Sequence, residues 1–191
     1  MTAGARSRDP QADARLVELM VAYQRGELDA FEELFEGLYT SVRNYLASLV
    51  RDLDRGEDLA QETFFQVHRS RHTYGPPRPV KPWVFGIARN VYLMDRRSRG
   101  RREKHERLAP AALPEVPVRA LAEDLPVTDE LLAALQQLPE DRREAVFLHH
   151  IQGFSFKEIG NMLGISTQAA KLRSFRGIEG LRELLGRGEI G

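Results

Sequence analysis

Apolar residues recur at helical spacing along most of the chain, and no stretch shows the alternation expected of a β-strand. In the first half, one apolar stripe runs from Phe31 to Leu49. Neighbouring segments show stripes of the same period, one of them made by Trp83, Ile87, Val91 and Met94. The pattern predicts an all-α domain over residues 14–107, preceded by a disordered tail over residues 1–13.

Polar residues indicate where two of these helices begin. Asp29 with Glu32, and Asp54 with Glu57, have the three-residue spacing of a capping box. In such a box the first side chain bonds to the backbone of the third helical residue, and the Glu side chain bonds back. We therefore expect α-helices that begin directly after Asp29 and Asp54.

Prolines interrupt the helical pattern at two places. The loop from Tyr74 to Pro79 holds three prolines and a glycine, and Pro82 fits the first turn of the helix that follows. Residues 108–127 hold four prolines and no sustained apolar face, which is typical of a flexible linker with a reach of roughly 60 Å. The chain is therefore predicted to be two small helical domains joined by a proline-containing linker.

The second domain, predicted over residues 128–187, contains the pattern of a helix-turn-helix. Ser155 with Glu158 forms a third capping box, Gly164 suits a tight turn, and Ser166 can cap the helix that follows. A helix-turn-helix places its second helix in the major groove of duplex DNA. An αα-hairpin with a solvated basic face is the alternative interpretation.

Charge is segregated along the chain although its total is zero, with 28 basic and 28 acidic residues. Residues 27–62 contain ten acidic and three basic residues, a net of minus seven; residues 96–107 contain seven basic and two acidic residues, a net of plus five. Such asymmetry indicates two partners of opposite charge, a basic protein surface and a polyanion. Solvated helix faces would account for either block alone.

Composition excludes several classes of protein. The chain has no cysteine, so disulfides and thiolate metal sites are excluded. No run approaches the length of a membrane span, and the first residues lack the apolar segment of a secretory signal. We therefore expect a cytoplasmic protein with no membrane insertion.

Several blocks of the sequence resemble bacterial sigma factors. The block LQQLPEDRREAVFLHHIQGFSFKEIGNMLGISTQAAKLRSFRGIEGLREL resembles the sigma domain that binds the minus-35 promoter element. The segments DAFEELFEGLYTSVRNYL, GEDLAQETFFQVHRS and KPWVFGIARNVYLMDRRSR resemble, in the same order, the domain that binds polymerase and melts the minus-10 element. Two such domains and a linker, over roughly residues 14–187 with a short tail at 188–191, describe the extracytoplasmic-function group.

The resemblance implies a protein without catalytic activity, cofactor or metal. Its expected partners are core RNA polymerase, through the beta-prime clamp coiled coil and the beta flap, and promoter DNA in duplex and single-stranded form. Members of the family are commonly held inactive by an anti-sigma factor, so such a partner is expected as well. In this family the helix that matches EDLAQETFFQV docks on the clamp, and its expected contacts are Asp58, Gln61, Glu62 and Phe65.

An acidic helix with an aromatic anchor suits a basic protein partner, because charges steer the encounter and a buried ring supplies much of the affinity. Phe64 and Phe65, taken alone, are typical core residues. At least one of the two is expected to face inward.

The resemblance also assigns DNA contacts in both domains. The proline-rich loop, together with the residues up to Pro82, is expected to wall a pocket for unstacked bases. The minus-10 contacts are expected at Tyr74, Arg78, Lys81, Arg89, Asn90, Arg96 and Arg97. The minus-35 contacts are expected at Ser166, Thr167, Gln168, Lys171, Arg173, Phe175 and Arg176. Lys171, Arg173 and Arg176 could each contact either a phosphate or a base.

The second helix departs from the family pattern at several positions. Ala169 and Ala170 replace a common threonine-valine pair, Leu172 replaces a small polar residue, and Ser174 replaces an apolar anchor. Gly177 is expected to weaken the helix by about 1 kcal/mol relative to alanine.

Two other functions fit parts of the sequence. An autonomous helix-turn-helix regulator would bind duplex DNA as a dimer, but it would not need the acidic helix or the proline-walled loop. A metal-dependent enzyme could use Asp58, Glu62, His68 and His72, since histidines four apart on a helix can share a metal. No third ligand beside the histidines is evident, so solvated surface histidines are the simpler interpretation.

Overall fold

The computed structural model describes residues 9–105 and 129–188. Over these residues the chain forms eight α-helices and no β-strand, and it divides into two compact units. The prediction of an all-α chain with two helical domains is confirmed. The predicted linker, 108–127, and most of both predicted tails lie outside the described residues.

The N-terminal unit contains four helices. They are α1 (Pro10–Gln24), α2 (Leu28–Val50), α3 (Leu53–Ser70) and α4 (Val80–His105), with a turn of 3₁₀-helix at Arg71–Thr73. Helix α2 packs most extensively against α3, and α4 packs against both. Because α1 begins at Pro10, the prediction of a disordered tail over 1–13 is wrong for residues 10–13.

The stripe on α2 forms the centre of this unit. Leu34, Leu38, Val42, Tyr45 and Leu49 are all buried, as the periodicity predicts. An aromatic cluster extends the core toward α1 and α3. The rings of Tyr23 and Phe31 lie 4.8 Å apart, and those of Phe35 and Phe64 also lie 4.8 Å apart, at separations where aromatic pairs add to the stabilisation by burial.

Two of the three predicted capping boxes are absent. The N-cap residue of α2 is Glu27, which makes no side-chain cap bond, and Asp29 lies inside the first turn. In α3 the cap is Asp52, whose carboxylate accepts from the Arg55 backbone N–H at 3.1 Å, and Asp54 again lies in the first turn. Both helices begin earlier than expected. Asp29 and Asp54 still stabilise them, because a negative charge in the first turn interacts favourably with the positive end of the helix dipole.

The buried face of α4 is rotated from the predicted one. It consists of Val80, Val84, Phe85, Ala88, Val91 and Tyr92. Trp83 and Ile87 are only partly buried, and Met94 is 67% exposed, so the predicted stripe is wrong at Met94. The physical reason is tertiary packing: Phe85 packs against Tyr45 of α2, with ring centroids 5.3 Å apart.

The C-terminal unit also contains four helices. They are α5 (Asp129–Gln137), α6 (Glu140–Val146), α7 (Phe156–Leu163) and α8 (Thr167–Gly188), with a π-helical segment at Phe147–Ile151. Helix α8 packs along α5, α6 and α7. Buried Arg143 donates to the carbonyl oxygens of Gln136 and Leu138, at 3.3 and 3.4 Å. These bonds satisfy carbonyls at the end of α5, where an α-helix leaves them without partners.

Two adjacent histidines link the π-helical segment to its surroundings. His149 donates from Nδ1 to the Phe154 carbonyl at 2.8 Å, and its ring stacks on Phe156 with centroids 3.9 Å apart. His150 Nε2 lies 3.2 Å from the hydroxyl of buried Ser174 on α8. This bond explains a polar residue at a position where an apolar anchor is usual. Burial, and then the neighbouring His149, lower the pKa of His150.

We expect the C-terminal unit to lose stability as pH falls below about 6.5, the ordinary pKa of histidine. Because the folded state holds His150 neutral, the unfolded chain takes up a proton first, so acid shifts the equilibrium toward unfolding. Thermal unfolding between pH 8 and pH 5 would show the effect, and His150→Gln should reduce it. His72→Gln, at an exposed position of the other unit, is the control; equal pH dependence in the His150 variant would contradict the assignment.

Candidate functional surfaces

One face of α3 collects the four residues expected to contact a protein partner. Asp58, Gln61, Glu62 and Phe65 lie three or four positions apart and are all exposed. Phe65 is 54% exposed whereas Phe64 is only 4% exposed, which confirms that one of the two faces inward. We refer to these four residues as the acidic face of α3. It combines an accessible aromatic ring with a carboxylate rim.

A cavity of about 550 Å³ lies between α3 and α4 beside this face. Leu59, Val91 and Met94 contribute its apolar lining, Glu62 belongs to its α3 side and Arg97 to its α4 side. The structure therefore brings an expected polymerase contact next to an expected DNA contact. Met94 is part of this surface, and the sequence pattern missed it because its apolar spacing fits a core stripe equally well.

An ion-pair network fixes the start of α3 to the middle of α4. Arg55 donates to both carboxylate oxygens of Asp95, from Nε at 3.2 Å and from a terminal nitrogen. Arg99 Nε lies 3.4 Å from the same carboxylate. Hydrogen bonding to Asp95 raises the pKa of Arg55. The bidentate pair sets the position of the acidic face of α3 relative to the basic helix α4.

The proline-rich loop is anchored by Tyr74. This residue is only 3% exposed, its hydroxyl donates to the Arg78 carbonyl oxygen, and its ring packs edge-on against Trp83. Gln24 Nε2 also donates to the Tyr74 carbonyl, at 2.9 Å. Burial raises the pKa of the Tyr74 hydroxyl. The Tyr74 side chain therefore holds the loop from inside and leaves little exposed surface for the direct DNA contact that the sequence predicts.

The remaining expected minus-10 residues do not share one face. Asn90 and Arg97 are exposed and lie seven positions apart, on one line along α4. Arg89, half-buried, and Arg96, exposed, form a second line about 100° around the helix. Exposed Arg78 and half-buried Lys81 lie at the loop and at the helix start. The structure thus offers two rows of polar side chains that run along α4 away from the proline-rich loop.

The helix-turn-helix has the geometry that the sequence predicts. Ser155 and Glu158 form the complete capping box, and Gly164 adopts φ 66°, ψ 35° in the left-handed region. A Cβ on Gly160 would lie 2.8 Å from the Ile165 carbonyl oxygen, so the turn can approach α7 only at glycine. Ser166 Oγ accepts from the Ala169 N–H at 3.1 Å, which caps α8.

The exposed side of α8 presents most of the expected minus-35 residues. Thr167, Gln168, Lys171, Phe175 and Arg176 are all exposed. Arg173 is half-buried and its Nε lies 3.5 Å from Asp141 Oδ2 on α6, which draws it to the side of the helix. Ser166 is exposed, but its hydroxyl serves as the helix cap. Leu172, which is not among the expected contacts, is 45% exposed beside these residues.

Neither a membrane span nor a metal site is found in the part of the chain that the structure describes. No helix there is long and apolar enough to cross a bilayer. No group of three acidic, histidine or cysteine residues there is arranged to hold a metal ion. His68 is exposed, but its Nδ1 is hydrogen-bonded to the hydroxyl of buried Tyr23, so it is more than a solvated surface residue.

Known proteins match both units. Residues 34–102 match the family model for Sigma-70 region 2, and residues 128–179 match the model for Sigma-70, region 4. The chain is 42% identical to RNA polymerase sigma factor CarQ of Myxococcus xanthus, over 90% of this chain and 98% of that protein. It is 31% identical to ECF RNA polymerase sigma factor BldN of Streptomyces coelicolor, over 93% of this chain and 70% of that one.

Solved structures share the fold. The sigma factor RpoE from Bartonella quintana, crystallised with the anti-sigma factor NepR, is 25% identical with a TM-score of 0.67, covering 82% of this chain and 96% of that chain. CnrH, in complex with the cytosolic domain of CnrY, is 23% identical with a TM-score of 0.64, covering 92% and 98%. From the two matched sigma regions and the identity to curated relatives, we conclude that the chain belongs to the extracytoplasmic-function (ECF) group of RNA polymerase sigma factors.

Proposed function

We propose that this sigma factor divides promoter recognition between its two units. Residues 14–107 bind core RNA polymerase and open the minus-10 element, residues 128–187 bind the minus-35 element, and residues 108–127 connect them. The protein acts in the cytoplasm as a specificity subunit without catalysis of its own. The observation that carries the proposal is the placement of an acidic, aromatic helix face beside a basic helix in one unit, with a helix-turn-helix in the other.

The acidic face of α3 is the surface that binds the beta-prime clamp coiled coil. Phe65 is 54% exposed, and burying the exposed part of its ring against a partner would contribute roughly half of the 1.5 to 3 kcal/mol that full burial of such a side chain provides. The carboxylates of Asp58 and Glu62 lie on the same face of α3 and would steer a basic surface toward it. The second unit meets the beta flap, as the family resemblance implies.

Opening of the two DNA strands at the minus-10 element uses the proline-rich loop and helix α4. Holding a base outside the stack requires a pocket and cations for the backbone. The proline-rich loop is fixed from inside by Tyr74, so little conformational entropy is lost when a base enters. Asn90 and Arg97 form one exposed row along α4, while Arg89 and Arg96 form the second row. The arginines contact phosphates, which requires no particular base sequence.

A protein inhibitor is part of the proposal. The structural neighbour RpoE was crystallised with an anti-sigma factor, and it is 25% identical to this chain over the aligned residues. We infer that an anti-sigma factor also holds this chain inactive, by covering surfaces that core polymerase and DNA would otherwise occupy.

Binding to promoter DNA with and without core polymerase tests the proposal. The free protein should bind duplex DNA weakly, because its total charge is zero, and the complex with core polymerase should bind strongly and in a salt-sensitive way. Run-off transcription on a library of randomised promoters should yield discrete start sites. Tight binding of a dimer to a palindrome without polymerase would instead identify an autonomous regulator and reject the proposal.

A further inference from the structure

Two large apolar side chains are exposed on α8, one of them, Leu172, at a position where the family usually has a small polar residue. Leu172 is 45% exposed and Phe175 is 59% exposed. Exposed apolar residues of this size mark contact sites when they lie together. They are three positions apart, so they adjoin on the helix surface.

The position of Leu172 and Phe175 around the axis of α8 determines which part of a bound molecule they can contact. With about 100° per residue, Gln168, Leu172 and Phe175 fall within about 60° of arc. The buried residues Ala170, Ser174, Gly177 and Leu181 occupy the opposite side. The apolar pair therefore lies along the outermost line of the helix, and we refer to Leu172 with Phe175 as the apolar strip.

Cations flank the apolar strip on both sides. Lys171 and Arg176 are exposed, and each lies about 40° beyond one edge of the strip. In the major groove, the outermost line of a helix meets base edges and its flanks face the phosphate chains. Cations on both flanks favour DNA over an apolar protein surface, because a protein partner would have to compensate both charges.

From this arrangement we infer that the apolar strip reads the 5-methyl groups of thymines in the upstream promoter element, with Leu172 as a specificity-determining residue. In the major groove thymine is the base that presents a methyl group, and apolar side chains recognise it. Lys171 and Arg176 then contact phosphates and fix the register. The inference rests on the proposed role of the second unit in binding duplex DNA.

Selection of promoters by the full-length chain with core polymerase gives the first test. Thymine should be enriched at one or two neighbouring positions of the upstream element. Replacing those thymines with deoxyuridine removes only the methyl groups. The affinity should fall by about fourfold per methyl, the effect expected for one buried methyl group.

Leu172→Ala should remove most of the sensitivity to deoxyuridine, whereas Lys171→Ala should weaken binding to thymine and deoxyuridine promoters by the same factor. Circular dichroism would confirm that both variants fold, as expected for exposed positions.

An enriched upstream element without thymine, or an affinity that is the same for thymine and deoxyuridine promoters, would overturn the inference and leave the proposed function intact. Absence of any enriched upstream element would count against the proposed function itself. If Leu172→Ala lowered only the affinity for a protein inhibitor and left the affinity for promoter DNA unchanged, the apolar strip would be a protein contact and the inference would fail.

Discussion

Replacing Phe65 with alanine should lower the affinity of the chain for core RNA polymerase by about thirtyfold or more, the loss typical of an aromatic hot spot at the centre of an interface. The ring is 54% exposed, and the guanidinium carbon of Arg69 lies 5.8 Å from the ring centroid. Because the ring contributes little to the core, the variant should fold normally. Titration of labelled core polymerase with each variant would measure the loss.

Leu28→Ala provides the matched control. Leu28 is 70% exposed at the start of α2 and does not belong to the acidic face of α3, and its truncation also removes a large apolar side chain. Its affinity for core polymerase should stay within twofold of the unchanged chain. Glu62→Arg should weaken binding independently of apolar area, since it reverses one charge of the carboxylate rim. Equal losses of affinity for core polymerase in Phe65→Ala and Leu28→Ala would show that the acidic face of α3 is not the docking surface.

Gly177→Ala should destabilise the C-terminal unit by about 1 to 3 kcal/mol, the cost typical of overpacking. Helix propensity alone predicts a gain of about 1 kcal/mol, so packing reverses the sign. A Cβ at this position would lie 2.5 Å from Val146 Cγ2 and 3.1 Å from the Arg142 carbonyl oxygen. Val146 is buried and branched at Cβ, so it cannot rotate away freely. Denaturant unfolding of the two proteins would measure the difference.

Gly186→Ala is the control for this substitution. Gly186 lies on the same helix, and a Cβ there would meet nothing within 4 Å. Its replacement should therefore leave the free energy of unfolding unchanged or raise it by up to about 1 kcal/mol. A stabilising Gly177→Ala would show that α6 and α8 can separate without cost, contrary to the close packing described above.

Local signals predicted the helix-turn-helix well. The capping box at Ser155, the turn at Gly164 and the cap at Ser166 each depend on residues within a few positions of one another. Such features are determined by short-range hydrogen bonds and backbone preferences. The same reasoning predicted that one of Phe64 and Phe65 faces inward, since adjacent residues on a helix point about 100° apart.

The features that the sequence did not predict depend on packing between residues far apart in the chain. Met94 has core-like spacing, but the contact of Phe85 with Tyr45 turns it outward. Tyr74 was expected to contact DNA, yet its bond to the Arg78 carbonyl and its packing on Trp83 bury it. Gly177 weakens an isolated helix, but α6 approaches so closely that a side chain is excluded. In each case the partner lies on another element or across a turn, where periodicity carries no information.

The Arg55–Asp95 pair has a consequence for how this family changes over time. Its two members are 40 positions apart, and Asp95 is the more enclosed of the two, with a side chain 18% exposed. Loss of Asp95 leaves the half-buried Arg55 without its bidentate partner, and loss of Arg55 leaves Asp95 paired with Arg99 alone, so single substitutions at these sites carry a penalty that a second substitution removes. Positions 55 and 95 should therefore covary among relatives, with charged pairs exchanged for neutral ones together.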